Sequence, residues 1–328
     1  ITVTVNGLTA YSAKPFTVTF TSAQTIDAST FAAKTDLTTG TSPTFVAIGD
    51  IDSDGKPDIV VTNQNSNTIS VFKNISTSGS ITTASFAAKV DFPTGANPVG
   101  IDIGDIDGDG KPDIIVTNNG AATVSVFRNI STSGSITSAS LDTRIDLGTG
   151  GNPSGVAVRD FDLDGKNDIA VMNYSGSSVS IIRNVSPPGP LTLASFYTKV
   201  DFPVGAGPIF SAIGDFDDDG KPDIAVTNYT SNSVSVLKNT STPGTIDASS
   251  FASKVDLTPG TGPYGIASGD IDFDGKTDLV VTNYTVNTVS VFRNISTSGS
   301  ITAGSFQAKV DFAATRGEFV SIGDIDGD

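Results

Sequence analysis

The chain has no cysteine, no histidine and no tryptophan, and a single methionine. It also has one glutamate, Glu318, so nearly every acid is an aspartate. Without cysteine there is neither a disulfide framework nor thiol chemistry. Without histidine the chain lacks the commonest general base and the usual transition-metal ligand. No apolar run reaches the length of about 18 residues that a bilayer-spanning helix needs. Basic residues are few: 19 lysines and arginines stand against 35 acids, for a formal net charge of −16. No basic patch breaks that balance, and a surface of this sign repels nucleic acid.

The acids that are present are grouped. The pattern D-x-D-x-D-G-x-x-D begins at Asp50, Asp105, Asp160, Asp215 and Asp270, a spacing of 55 residues, and a sixth copy opens at Asp324 and stops at Asp328. The fixed aspartate positions of these copies hold 23 of the 35 acids, so the charge marks candidate metal sites rather than a solvated coat. A long fixed period is the mark of a repeat architecture. The chain begins at Ile1 and stops inside a copy of the motif, which reads as a segment of a longer protein.

Carboxylates at alternate positions followed by glycine suit a hard dication with six to eight oxygen ligands, calcium above all. In the first loop Asp50, Asp52 and Asp54 occupy positions 1, 3 and 5, the carbonyl of Lys56 falls at position 7, and Asp58 closes the set. The same roles fall on Asp105, Asp107, Asp109, Lys111 and Asp113, and on Asp160, Asp162, Asp164, Lys166 and Asp168. They recur on Asp215, Asp217, Asp219, Lys221 and Asp223, on Asp270, Asp272, Asp274, Lys276 and Asp278, and in part on Asp324, Asp326 and Asp328. Four carboxylates this close repel one another strongly unless a cation joins them. An EF-hand needs an acid at position 12, but Val61, Val116, Val171, Val226 and Val281 stand there. Ordinary Asp-Gly turns are the competing reading, which five copies at one period make the weaker one. Five calcium ions would bring the formal charge to −6. Millimolar calcium is an extracellular condition, so a secreted or cell-surface location, of bacterial type, is expected.

Between loops the apolar pattern has period two. Phe45 to Ile48 leads into the first loop, and Ile59 to Val61 follows it. Ile69 and Val71 then alternate with polar residues, as do Phe86, Ala88, Val90 and Phe92. Four short strands per repeat with no helical period predict propeller blades. The strand before the loop, rich in small residues such as Ala47 and Gly49, is expected innermost. A Gly-x-x-Pro turn (Gly40/Pro43, Gly95/Pro98, Gly150/Pro153, Gly205/Pro208, Gly260/Pro263) precedes it, and glycine there is expected to supply a positive φ. Residues 26–40 nearly copy 246–260, so an outer strand at 31–37 would complete the last blade of a closed ring. Residues 1–22 do not fit the repeat and read as the end of a preceding β-sandwich, leaving 23–328 as the repeat region.

GDIDSDGKPDIVVTN, GDIDGDGKPDIIVTN and GDFDDDGKPDIAVTN resemble the FG-GAP (VCBS-type) repeats of bacterial surface proteins, which are similar to the blades of the integrin α-subunit. The resemblance covers about residues 30–328. It implies an all-β propeller of four-stranded blades, with a calcium loop between the first two strands of each blade. It further implies that the ion is structural and that ligands bind the opposite face. Five full repeats are fewer than the usual seven blades, which leaves the blade number open.

Other repeated residues carry two readings each. Asn-x-Ser/Thr recurs at Asn74, Asn129, Asn184, Asn239 and Asn294, and again at Asn173, Asn228 and Asn283. These are glycan acceptors or simply asparagines suited to turns. Tyr174, Tyr229 and Tyr284, with Phe45, Phe210 and Tyr264, are expected on the face away from the acidic loops, either as ligand-stacking rings or as packing between blades. The lysine after each loop glycine reads as a solvated side chain, and Arg159 either pairs with a loop aspartate or is neutral.

The leading functional expectation is a non-catalytic adhesion or binding module with a protein or glycan ligand. A structural subunit of a surface filament, self-associating by strand donation, is the second. A lectin or carbohydrate-active enzyme is the third. Catalysis needs a unique constellation, and the chief non-repeating acids are only Asp102 and Glu318.

Overall fold

A computed structural model of the chain describes residues 32–77, 79–187 and 189–323, together with the backbone of 2–5 and 8–11. Contacts divide it into two units, one of residues 1–34 and 323–328, the other of residues 35–322. In the first unit β1 (Thr2–Val5) and β2 (Leu8–Tyr11) form an antiparallel hairpin. The alternating segment Phe16–Phe20 and the sixth acidic loop lie outside the described residues.

The second unit is five antiparallel four-stranded sheets, each formed by consecutive strands. The first contains β3 (Pro43–Gly49), β4 (Asp58–Asn63), β5 (Thr68–Phe72) and β6 (Val90–Pro93). The second contains β7 (Pro98–Gly104), β8 (Asp113–Asn118), β9 (Thr123–Phe127) and β10 (Ile145–Gly148). The third contains β11 (Pro153–Arg159), β12 (Asp168–Asn173), β13 (Ser178–Ile182) and β14 (Val200–Pro203). The fourth contains β15 (Pro208–Gly214), β16 (Asp223–Asn228), β17 (Ser233–Leu237) and β18 (Val255–Leu257). The fifth contains β19 (Pro263–Gly269), β20 (Asp278–Asn283), β21 (Thr288–Phe292) and β22 (Val310–Ala313). The outer strand is shorter than its alternation suggests: Phe86 makes only an isolated bridge to Asn74, and the ladder begins at Val90.

The first strands are innermost, with β3, β7, β11, β15 and β19 packed side by side in that order. Glycine allows their close approach: a Cβ on Gly155 would stand 2.5 Å from the carbonyl of Ile209. No comparable packing joins β19 to β3, although the rings of Phe45 and Phe319 meet at 5.1 Å. Residues 32–39 form no strand, and Thr35 bonds the Ile81 carbonyl of the first sheet. They do not complete the fifth sheet, whose fourth strand is β22.

Each core layer lies between successive sheets. Val60, Ile69, Val71 and Phe92 of the first sheet pack on Ile114, Val116, Phe127 and Leu141 of the second, and the pattern repeats through the fifth. Each fully buried side chain of this kind contributes about 1.5–3 kcal/mol. Period-two alternation is what lets one sheet serve two such layers.

The Gly-x-x-Pro glycines act differently from the expectation. Gly95 does not have positive φ; a Cβ there would stand 2.6 Å from Cγ of Asn118. The left-handed residue is two positions later, at Asn97, Asn152, Gly207 and Gly262.

Both sets of Asn-x-Ser/Thr asparagines are interior. Asn129, Asn184 and Asn239 are fully buried, and so are Asn173, Asn228 and Asn283. Asn239 Nδ2 donates to the carbonyls of Phe161, 2.8 Å away in the preceding sheet, and of Pro222. Asn173 Nδ2 donates to Ser178 and Ser180. The glycan-acceptor reading therefore fails for the folded chain, since the nitrogen that would carry sugar is already bonded and enclosed. Folded protein from a glycosylating host is expected to show no N-glycan at these positions, as intact mass before and after amidase treatment would check.

Sheets are also tied by a threonine on each second strand. Thr62, Thr117 and Thr227 donate to the carbonyls of Val99, Ser154 and Tyr264 in the next sheet at 2.9, 2.6 and 2.7 Å. Met172 replaces this threonine in the third sheet, where Ser154 donates across to Pro208 at 2.8 Å instead.

Candidate metal centre

Each acidic loop links the first two strands of its sheet. Asp50 shapes the first loop, its two oxygens accepting from the N–H groups of Asp54 at 3.0 Å and Gly55 at 2.8 Å. Gly55 stands at φ +86°, which an L side chain rarely adopts. Asp58 is buried and accepts from the N–H groups of Ile51 and Asn74 at 3.0 and 2.8 Å. Oxygens of Asp50, Asp52 and Asp58 consequently converge within 4.8 Å of one another. Asp105/Asp107/Asp113, Asp160/Asp162/Asp168, Asp215/Asp217/Asp223 and Asp270/Asp272/Asp278 do the same.

The position-5 aspartates stand outside these triads. Asp54 accepts from the N–H of Lys56 and pairs with Lys73, which also pairs with Asp52. Arg128, Arg183, Lys238 and Arg293 repeat this clasp on positions 3 and 5. The clasping residue is absent from the acidic motif itself. Its signal is a lysine or arginine at the 55-residue spacing, directly before Asn74, Asn129, Asn184, Asn239 and Asn294. The post-glycine lysines are also more than solvated: Lys111, Lys221 and Lys276 donate to the carbonyls of Ser131, Ser241 and Ser296. Arg159 makes no ion pair among the described residues, but its charge opposes the upward shift of the Asp102 carboxyl.

The donor set fits a hard cation. Asp52 and Asp217 are fully buried, and one oxygen of each, Oδ1, has no hydrogen-bond partner among the described residues. A bare buried carboxylate oxygen is costly, and an ion among three converging carboxylates would satisfy it. Burial, reinforced by the neighbouring loop acids, pushes the carboxyls of Asp113, Asp168 and Asp223 up to about 7 despite two backbone N–H bonds each.

These shifts fix the sign of a pH effect on metal-free protein. The unfolded carboxyls titrate near 3.9, so between about pH 4 and 7 the folded state binds more protons and stability falls as pH rises. The carboxyls held low by Lys73, Lys89 and Lys309 (Asp54, Asp91 and Asp311) act only below that window. Metal-stripped protein is therefore expected to melt higher at pH 6 than at pH 8, measured by calorimetry. A flat or reversed profile would contradict the burial of these carboxyls.

Each loop but the last is braced by the following sheet. Gly134 N–H and Ser131 Oγ donate to the carbonyls of Asp52 and Ile51, both at 2.9 Å, and Gly299 and Ser296 do the same for the fourth loop. No such brace reaches the fifth loop among the described residues. Asp272 is 38% exposed at its side chain, where Asp52, Asp107, Asp162 and Asp217 are at 0%. Calorimetric titration is expected to find four similar metal sites and a fifth at least about tenfold weaker, since exposure weakens the field of its carboxylates. Five indistinguishable sites would refute the role given to the brace.

At the opposite ends of the inner strands is a cavity of about 400 Å³. The aromatic residues expected on that side are brought together there, with Tyr174, Phe210, Tyr229, Tyr264 and Tyr284 in its wall. Phe45 packs beneath them on Phe210 at 4.9 Å. Of the two non-repeating acids, only Glu318 lines the cavity. Asp102 is a strut between sheets, accepting from the N–H groups of Ile103 and Val158, both at 2.8 Å.

The profile of the FG-GAP-like repeat matches residues 50–116, 105–171, 160–226 and 215–281. No curated protein sequence matches the chain. Among solved structures, a putative 6-phosphogluconolactonase from Bacteroides fragilis is 18% identical, with a TM-score of 0.59, covering 87% of this chain and 74% of that one. A functionally unknown protein from Desulfotomaculum acetoxidans is 15% identical, with a TM-score of 0.54 over 84% and 72% of the two chains. An Agrocybe aegerita lectin specific for non-reducing terminal N-acetylglucosamine is 16% identical, with a TM-score of 0.53 over 83% and 66%. At these identities the likeness is one of fold alone.

Proposed function

The chain belongs to the FG-GAP-like repeat family, and on that premise we propose that it is a calcium-stabilised, non-catalytic binding or adhesion module of a secreted or cell-surface protein. Calcium suits the all-oxygen carboxylate triads and would complete loops that are otherwise short of a cation. Its role is structural, because the ligand-bearing positions of the loops repeat from sheet to sheet and the loops carry hydrogen bonds that join one sheet to the next.

One observation carries the binding role. The cavity is built where the repeats differ: Val99, Ser154, Ile209 and Tyr264 occupy one repeat position, and Asn119, Tyr174, Tyr229 and Tyr284 another. Repeated residues serve the fold, and residues that vary at one end of it can recognise a partner, protein or glycan. A glycoside hydrolase of the common kind needs two acids about the substrate, and among the described residues Glu318 is the one acid in the cavity wall. Binding of calcium-loaded protein to arrayed glycans and extracellular proteins tests the reading. A ligand whose capture is lost on Tyr229→Ala, with melting unchanged, is expected; capture of none would remove the role.

A second reading, a head-to-tail assembly subunit, is favoured by the outermost sheet faces. Phe312 of β22 is 56% exposed whereas its counterpart Phe92 is 5% exposed, and Val46 and Ile48 of β3 are exposed as well. These faces correspond to the two sides of every internal sheet–sheet layer. Electron microscopy with calcium and then with EGTA separates the readings: discrete particles favour the binding module, and filaments that loosen in EGTA favour the assembly subunit.

A further inference from the structure

The varied cavity has a definite chemistry, and the step taken here rests on the binding role proposed above. Its aromatic walls meet at angles from 35° to 86°. Tyr229 and Tyr264 meet at 86° with centroids 6.3 Å apart, Phe210 and Tyr264 at 64° and 5.4 Å. Tyr264 and Tyr284 are 6.0 Å apart. Rings in this arrangement form the corner of a box, not the open platform on which a sugar ring lies flat.

The polar inventory points the same way. Asn119 donates to the Pro153 carbonyl at 3.1 Å and accepts from Asn152 at 3.2 Å. The one proton of Ser154 is directed to backbone carbonyls, of Pro208 at 2.8 Å and of Met172 and Ile209 at 3.1 Å. The amide and hydroxyl that would order the hydroxyls of a sugar are thus engaged within the fold. What remains is π-face, the tyrosine hydroxyls (that of Tyr174 meets Thr230 at 3.4 Å and that of Tyr284 accepts from Arg316) and the carboxylate of Glu318, which makes no ion pair among the described residues. No lysine or arginine lines the cavity wall itself, and the chain as a whole carries −16, so the field there disfavours anions. The cluster already attracts a cation at its rim: Arg316 of the same chain lies over the Tyr284 ring, 4.9 Å from its centroid.

We propose that this cavity binds an organic ammonium group, held by the faces of Tyr229, Tyr264 and Tyr284 and neutralised by Glu318. Ring faces around a desolvated cation each add attraction by their quadrupole, and a carboxylate at the rim supplies the counter-charge. About 400 Å³ exceeds the need of the charged head alone, so the ligand brings an attached chain with it. That chain belongs either to a free small molecule or to a lysine side chain of a polypeptide, and both present the same head group.

The test is calorimetric titration of the calcium-loaded full chain with choline, with lysine methyl ester and with a lysine-bearing peptide. Saturable binding of at least one is expected, weakened about tenfold by Glu318→Gln and by Tyr229→Leu, the loss of one charge partner or one ring. Both positions are at the cavity rather than in a core layer, and calcium-dependent melting of each variant confirms that it is folded. Binding of choline assigns a small-molecule ammonium, and binding of the peptide alone assigns a protein-borne one. Absence of saturable binding by all three probes, binding indifferent to both substitutions, or N-acetylglucosamine binding that depends on Tyr229 would each overturn the proposal. Array capture that survives those failures would leave the binding module standing and remove only the ammonium site.

Discussion

Stripping calcium with EGTA is expected to lower the melting temperature by about 20 °C or more, because each saturated site contributes about 3–4 kcal/mol by mass action and several sites add. The reason lies in how the loops are built. Three carboxylates converge within 4.8 Å in each, and the position-3 acids of the first four are fully buried. Lys73 and its counterparts neutralise part of that charge, but they sit on positions 3 and 5 and leave the position-9 acid without a cation. The loops are not peripheral either. Through Asn129, Ser131 and Gly134, the second sheet is anchored on carbonyls of the first loop, at Ile51 and Asp52. A loop that loosens without its ion therefore releases a sheet–sheet junction. Scanning calorimetry with and without chelator, after metal analysis, is the check. Identical melting curves would remove calcium from the structure.

The architecture was legible because its determinants are local. A 55-residue period and period-two alternation are both visible within one window of sequence, and they predict stacked four-stranded sheets. The position-1, -3 and -9 acids were legible for the same reason, as all three lie within nine residues. What stayed hidden depends on residues far apart in the chain. Asn129 bonds a carbonyl 78 positions away, so its spacing to Ser131 looked like a glycan signal rather than a bracket. The clasping Lys73 is 21 positions from Asp52, beyond any motif window. The glycine of Gly-x-x-Pro does not supply the positive φ that the turn pattern predicts. Its constraint is the side chain of an asparagine on the neighbouring strand, not its own φ. The alternation of Phe86, Ala88 and Val90 predicts a longer outer strand than forms, because only the residues from Val90 find a ladder partner on β5.

Replacing Asn239 by alanine is expected to cost about 2–4 kcal/mol, a fall of about 5–15 °C in melting temperature, although the residue touches no ligand. Its side chain makes three bonds at a fully enclosed position. Nδ2 donates to Phe161 and Pro222 carbonyls at 2.8 and 3.0 Å, and Oδ1 accepts from the Ser241 N–H at 2.9 Å. Alanine leaves the Pro222 carbonyl and the Ser241 N–H without these partners, and the Phe161 carbonyl with only the Ser241 hydroxyl at 2.8 Å. Asn74→Ala is the internal control: its Nδ2 reaches only the Pro57 carbonyl of its own repeat, because no four-stranded sheet precedes the first among the described residues. It is expected to cost about 1 kcal/mol less, the contribution of one bond. Asn239→Asp separates a bracket from a glycan acceptor most sharply. The exchange keeps the size and the accepting oxygen but turns a carboxylate oxygen toward two carbonyls, so it should destabilise at least as much as alanine. An acceptor asparagine on an open turn would tolerate that exchange. Melting of Asn239→Asp within a degree of the parent protein would mean that this asparagine bracket contributes nothing to holding the third and fourth sheets together.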